Sequence, residues 1–227
     1  MRLRVTPLAA LNLLLAAAMA AVGFQGAASS LLRLPSEVTI RAIRDGEPVE
    51  KADDQEAVDR LQSASALSNA ARADLALALL AGGEAPNSAA DRVLGDHAVR
   101  QLRIYLSAAP DDSFAWANLA MAEKRRGTLG AAIAPFKMSI ELAPVSATNL
   151  IWRCDFGTDI YAALYSDGKE MLARQFLMAM DPALDSSISE NLVRLLKKKN
   201  TLSPARMLLA REQEASAKFE KLVSALP

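Results

Sequence analysis

"WANLAMAEKRRGTLGAAIAPFKMSIELAP", residues 116–144, reads as two helices joined by a tight turn. Ala, Leu, Met, Glu and Lys fill both halves, and these are strong helix formers. Gly127 stands at the reversal, where glycine reaches left-handed backbone angles without steric cost. Asp112 precedes the first half and Thr128 the second, and both residue types cap helices by accepting from first-turn amides. Pro144 stops the second half, because proline cannot continue a helix.

Working outward, the same pattern recurs. Ala109-Pro110 returns as Ala143-Pro144, 34 positions later, and that shift lays Ala98 on Ala132, Leu102 on Phe136 and Leu106 on Ile140. Within residues 113–146, Trp116, Leu119, Ala120, Gly127, Ala132, Phe136, Leu142 and Pro144 stand at a spacing that resembles the tetratricopeptide repeat family. The resemblance is tight over residues 98–144 and loose over 60–182. The stretch "AGGEAPNSAADR" displaces the first helix of the preceding unit. The following unit, Ser146–Pro182, carries Trp152 and a predicted helix at Lys169–Met180, but its spacing is too long. In such a unit Ala120 and Ala132 let two helices cross closely, and Trp116, Leu119 and Phe136 fill the space around the crossing. One hairpin cannot bury both faces, so about three or more must stack.

Helix punctuation continues on both sides. Ser36 is expected to cap a short helix through Ile43 that ends near Gly46, and Asp53 or Asp54 to cap one with Val58, Leu61 and Leu67 on one side. Ser68 starts another through Leu80, closed by Gly82 and Gly83. Ser88 and Asp91 have the spacing of a capping box before Val93, Leu94, Leu102 and Tyr105. Ser187 and Glu190 have it again, before a stripe of Ile188, Leu192, Leu195 and Leu196. Lys197, Lys198 and Lys199 suit the negative end of that helix dipole, and Asn200 closes it. Ser203-Pro204 opens a last helix, with Leu208, Ala215, Phe219, Leu222 and Leu226 along one face and Arg211, Glu212, Lys218 and Glu220 on the other.

The N-terminus differs. Arg2 and Arg4 precede Leu8–Phe24, an uncharged run with Asn12 its only strongly polar residue. Gly26 and Ala28 occupy the small-residue positions of a cleavage site, as in a secretory signal. The run from Leu8 to Ala28 is also long enough for a membrane-spanning helix, and its length favours an uncleaved anchor. By the positive-inside rule Arg2 and Arg4 stay in the cytoplasm, placing residues 30–227 on the far side of the membrane. In a bacterium this means a single-pass inner-membrane protein facing the periplasm, or a periplasmic protein if the signal is cleaved.

The expected fold is therefore all-α: antiparallel helical hairpins stacked as a short tetratricopeptide-like array, after an N-terminal anchor or signal helix. The divisions are residues 1–29 for the anchor or signal, 30–87 for an N-terminal helical region, 88–182 for the repeats and 183–227 for capping helices.

Chemistry is thinly signalled. Lys and Arg number 26, and Asp and Glu also 26, so no positive excess draws nucleic acid. One cysteine, Cys154, excludes an internal disulfide and a four-cysteine zinc site. His97, the single histidine, reads as a packed or surface helical residue, and Cys154 as a small buried apolar one. Asp155-Phe156-Gly157 matches a kinase triplet, but the kinase loops and strands are absent, and the residues read as a bend in the helix carrying Trp152. Phosphate-binding loops, nucleophile elbows and zinc-protease motifs are missing. Asp53-Asp54 and Asp111-Asp112 read as caps, and Lys197–Lys199 as a solvated helix end.

The expectation is a non-enzymatic scaffold without cofactor or metal, whose partners are other envelope proteins and, through residues 8–28, the membrane. The rival is an enzyme or enzyme subunit acting on envelope polymers; a further alternative is a structural subunit that pairs through its last helix. The family resemblance implies a partner groove on the first helices, with Asn118, Met121 and Lys124 or Arg125 facing it. Ala117 stands where carboxylate-clamping members carry a long polar residue, a departure from that mode of binding.

Overall fold

The computed structural model describes residues 7–45, 49–82 and 88–226. Arg2, Arg4, Gly46 and Gly83 lie outside them. The described residues are helical with no strand: α1 (Pro7–Arg33), a 3₁₀ turn (Leu34–Ser36), α2 (Glu37–Asp45), α3 (Lys51–Ser65), α4 (Asn69–Ala81), α5 (Ala89–Ala108), α6 (Ser113–Arg125), α7 (Leu129–Leu142), α8 (Ala147–Asp159), a second 3₁₀ turn (Tyr161–Ala163), α9 (Ser166–Ala179), α10 (Ser186–Lys199), α11 (Leu202–Leu209) and α12 (Gln213–Ala225). The chain divides into two units. One is Met1–Ala85 with His97–Ala108, the other Pro86–Asp96 with Ala109–Pro227.

In the first unit α3 and α4 form a hairpin that meets on small residues. Ala64, Ala71 and Ala78 are wholly buried, with Leu61 and Leu75 beside them. The end of α1 packs on α3, and α2 on α4. Asp74 of α4 ties these pieces together: Arg33 donates to it from Nε and Nη2 at 3.1 and 2.5 Å, and Arg44 lies 3.5 Å away.

Upstream, α1 is long and apolar enough to cross a membrane or serve as a signal. Its side chains from Leu14 to Phe24 are exposed, Phe24 by 75%, so this stretch is no core helix of the unit. The helix runs unbroken through Gly26–Ala28 to Arg33.

Several expected caps shift. Ser36 lies in the 3₁₀ turn, buried, and its hydroxyl has no hydrogen-bond partner. Glu50 is the residue before α3, so Asp53 and Asp54 sit in its first turn, where their charge favours the dipole. Leu67 falls beyond α3 and is exposed. Ser68 precedes α4 without a side-chain cap bond.

The second unit holds residues 116–144. Asp112 Oδ1 accepts from the amides of Phe114 and Ala115 at 2.9 Å. Gly127 has φ +87°, the left-handed angle the turn requires. The Thr128 hydroxyl does not cap α7; it turns back to the Glu123 carbonyl at 2.9 Å and the Glu123 carboxylate at 2.7 Å, bracing the turn. Ala120, Ala132 and Phe136 are wholly buried at the crossing. Trp116 is not part of that core. Its ring is half-buried and its Nε1 donates to the Pro110 carbonyl at 2.8 Å. Ser88 bonds the Asp91 amide as the capping box requires, but the Asp91 carboxylate pairs with Arg125 instead of completing the box. At Gly95 the start of α5 meets the end of α6; a Cβ there would stand 2.8 Å from the Arg126 nitrogen.

Beyond α7 the helices pack in two series. α7 contacts α9 and α9 contacts α11, while α8 contacts α10 and α10 contacts α12. Phe136 of α7 joins Phe156 and Trp152 of α8, with ring centroids 5.6 and 6.4 Å apart. Arg153 is wholly buried and caps α7 from the side: it donates to the carbonyls of Ala143, at 2.7 Å, and Ser139. Gln175 of α9 accepts from Arg153 at 3.4 Å and donates to the Pro144 carbonyl at 3.1 Å.

Asp155–Gly157, expected to bend or interrupt the helix, do not interrupt it: α8 continues through them, and Gly157 makes room for the Leu172 side chain of α9. Asp185, not Ser187, caps α10, accepting from the Ser187 amide at 2.9 Å, and Glu190 pairs with Arg194. Asn200 closes α10 in the left-handed region, φ 57°. The single last helix is two, broken at Ala210–Glu212; Arg206 and Glu220 clip them together at 2.7 and 3.0 Å.

Phe136→Ala should lower the unfolding free energy by about 3–5 kcal/mol, as for other buried aromatics. Trp116→Ala should cost clearly less, because its ring is part solvated. Urea titration of both variants checks the order, and a larger loss at Trp116 would refute the assignment of the core.

Candidate interaction surface

Three helices bring side chains together in one half-buried region of the second unit, with Phe156 beneath it in the core. α6 contributes Met121 and Lys124, α8 contributes Trp152, Asp155, Phe156 and Asp159, and α10 contributes Lys199. Helical spacing explains the α8 set, since residues four apart share a face. Trp152 stacks on Phe156, with centroids 5.0 Å apart and planes inclined 26°. Its Nε1 reaches the Met121 sulfur at 2.9 Å. The Lys124 ammonium lies 5.5 Å from the Phe156 ring centroid, within cation–π range, and pairs with Asp159. Lys199 closes the set, 2.7 and 2.9 Å from the two Asp155 oxygens and 3.1 Å from Asp159.

Two lysines and two aspartates thus neutralise one another beside an aromatic and thioether patch. Burial alone would raise the Asp159 pKa, but hydrogen bonds from Lys124 and Lys199 outweigh it and hold the carboxyl below its usual range. Burial likewise works against the Lys199 charge, and Asp155 and Asp159 override it, raising its pKa.

Of the four residues expected to face a groove, the structure brings Met121 and Lys124 into this region. Asn118 is buried, 4% exposed. Arg125 points instead to Asp91 of α5. The sequence reading missed Asp155, Asp159 and Lys199 as a group. The spacing of Asp155 and Asp159 was visible, but Lys199 arrives from 40 residues away and only packing of α8 on α10 brings it near. The lysine run is also not simply solvated, since Lys197 donates to the Val223 and Leu226 carbonyls at 3.1 and 2.6 Å and so caps α12.

The remaining reactive groups are placed quietly. Cys154 is wholly buried, and burial pushes its thiol well up, away from thiolate chemistry. His97 is half-buried beside Gln101, 3.3 Å from its amide nitrogen, and burial followed by the Arg100 charge lowers its pKa. Among the described residues no cluster of three His, Cys, Asp or Glu side chains is placed to hold a metal ion.

No protein-family model matches the chain, and no curated protein matches it.

The depressed Asp159 pKa gives a pH signature. A carboxyl of lowered folded pKa stabilises above its unfolded pKa of about 3.9, and that contribution is lost as pH falls through the folded value. Asp159→Asn should therefore destabilise the protein at neutral pH and flatten its acid limb below about pH 4. Melting temperatures taken across pH measure this; parallel curves for the two proteins would contradict the pairing.

Proposed function

We propose that the protein is a membrane-tethered, extracytoplasmic scaffold that binds a segment of another envelope protein. The hairpins of the second unit act as a short tetratricopeptide-like array, and the Met121–Trp152–Lys124 region receives the partner. One observation carries this reading: a part-exposed region drawn from three alternate helices, α6, α8 and α10, combines Trp152 stacked on the buried Phe156, a thioether and charges already matched to one another. Aromatic and methionine side chains favour protein contacts. The apolar α1, exposed from Leu14 to Phe24, supports the tether. With Arg2 and Arg4 retained inside, the rest of the chain lies in the periplasm of a bacterial source. A role in envelope or surface-polysaccharide assembly is the process this architecture fits.

The test is a photo-crosslinking amino acid placed at Met121 in the full chain in its native membrane, with a control at Ala134, an exposed residue of α7. The Met121 probe should yield a discrete protein adduct that the Ala134 probe does not, reduced by Lys124→Glu. Identical labelling from the two positions would remove this region as the binding surface.

A further inference from the structure

The exposed apolar face of α1 continues past the end of the anchor. α1, the 3₁₀ turn and α2 follow one another without an intervening residue, and Arg33 and Glu37 at the two joins keep right-handed helical angles, φ −81° and −65°. Beyond Ala28 one side of this helical run is taken by the first unit: Ser29, Ser36 and Ile40 are buried, and Arg33 donates to Asp74. The opposite side carries Leu31, Leu34 and Val38, exposed by 69, 56 and 78%. Phe24, Leu31 and Val38 stand seven residues apart, with Ala27 and Leu34, both exposed, between them. Alternating steps of three and four draw one seam along a helix, and parallel helices bury such a seam against each other. Its borders are polar. Ser30, Glu37 and Arg41 flank it, and Glu37 and Arg41 lie 3.6 Å apart within the chain.

Lipid can cover part of this seam and not the rest. Leu8–Ala28 at about 1.5 Å per residue spans about 31 Å, matching a hydrocarbon core of about 30 Å. Leu34 then lies about 9 Å past the end of that core and Val38 about 15 Å, while the headgroup layer is about 5–8 Å deep. Apolar side chains left in water gain by any apolar cover. A second copy of the chain supplies it along the whole seam. Two chains anchored by the same segment stand parallel and at the same depth, so Phe24, Leu31 and Val38 of one copy meet the same residues of the other without a shift of register. α3 and α4 pack on the buried side of the run, which leaves the seam open to that partner.

We propose that the protein is a parallel dimer in the membrane, joined along Phe24, Ala27, Leu31, Leu34 and Val38. Inside the bilayer the helices associate by packing, and outside it Leu34 and Val38 add a contact driven by release of water. The dimer rests on α1 being the tether, but not on the partner-binding region of the second unit.

The test places one added cysteine in the full chain in its native membrane, at Leu34 or Val38, or at Ser63, an exposed residue of α3, as the control. Cys154 is wholly buried and stays out of the reaction. Oxidation with copper–phenanthroline is followed by carbonate extraction and non-reducing electrophoresis. Leu34→Cys and Val38→Cys should give a disulfide-linked dimer in the membrane pellet, and Ser63→Cys should not. Adding Val38→Lys to the Leu34→Cys chain should cut the dimer about tenfold, as for losing one buried aliphatic contact. Equal yields from Val38→Cys and Ser63→Cys would overturn the seam. A pelleted monomer whose Val38→Cys thiol resists a water-soluble maleimide would overturn the second copy in favour of lipid, and a disulfide to a different protein would overturn it in favour of that protein. A chain released by carbonate would overturn the anchor, and the dimer with it.

Discussion

A buried guanidinium organises the second unit. Arg153 is wholly enclosed with no carboxylate among its hydrogen-bond partners, and a charge taken from water is costly unless its hydrogen bonds are met. Nη1 and Nη2 find partners at the end of α7, where carbonyls carry the negative pole of the helix dipole, while the buried Nε has none. Gln175 of α9 accepts from the same group and donates to Pro144. Three consecutive helices are thereby required to sit in one arrangement. Phe136, against Phe156 and Trp152, fills the apolar side of the same joint. The dipole end and the aromatic cluster together explain why the hairpin of α6 and α7 continues into another pair instead of standing alone.

That serial packing decides what the surface offers. With α8 set against α7 and α9, its outer face carries Trp152, Asp155 and Asp159 beside Met121 and Lys124. α10 packs on α8 and brings Lys199 to complete the ion set. Cys154, on the opposite face of α8, is consumed by the core. The proposed binding function and the inert thiol are consequences of the same helix orientation. In the first unit, Asp74 gathers Arg33 and Arg44, and that ion cluster shapes a cavity beside the end of α1.

Much of the fold was legible where a residue type is demanded by backbone geometry. Asp112 at a cap, Gly127 at positive φ and Asn200 at a helix end were readable because few residues serve there. Ala120, Ala132 and Phe136 were readable from their spacing. Errors arose where several residues can do the same work. Ser187 was read as a cap from its spacing to Glu190, yet Asp185, two residues earlier, does that work, and Thr128 turned out to brace a turn. Trp116 was assigned to the core from its place in the repeat-like spacing, yet its indole donates to the Pro110 carbonyl at the surface. The interaction region was half legible: Met121 and Lys124 follow from the hairpin, while Lys199 depends on a long-range contact that no local pattern encodes. Arg153 gave no signal, because a buried arginine in sequence looks like any exposed one.

α7, α8 and α9 should behave as one cooperative block. Native-state hydrogen exchange in low denaturant measures this residue by residue. The amides of these three helices should converge on a single opening free energy, because Arg153 and Phe136 cannot be released by any one helix alone. Exchange of α8 and α9 through an opening distinct from that of α7 would contradict it.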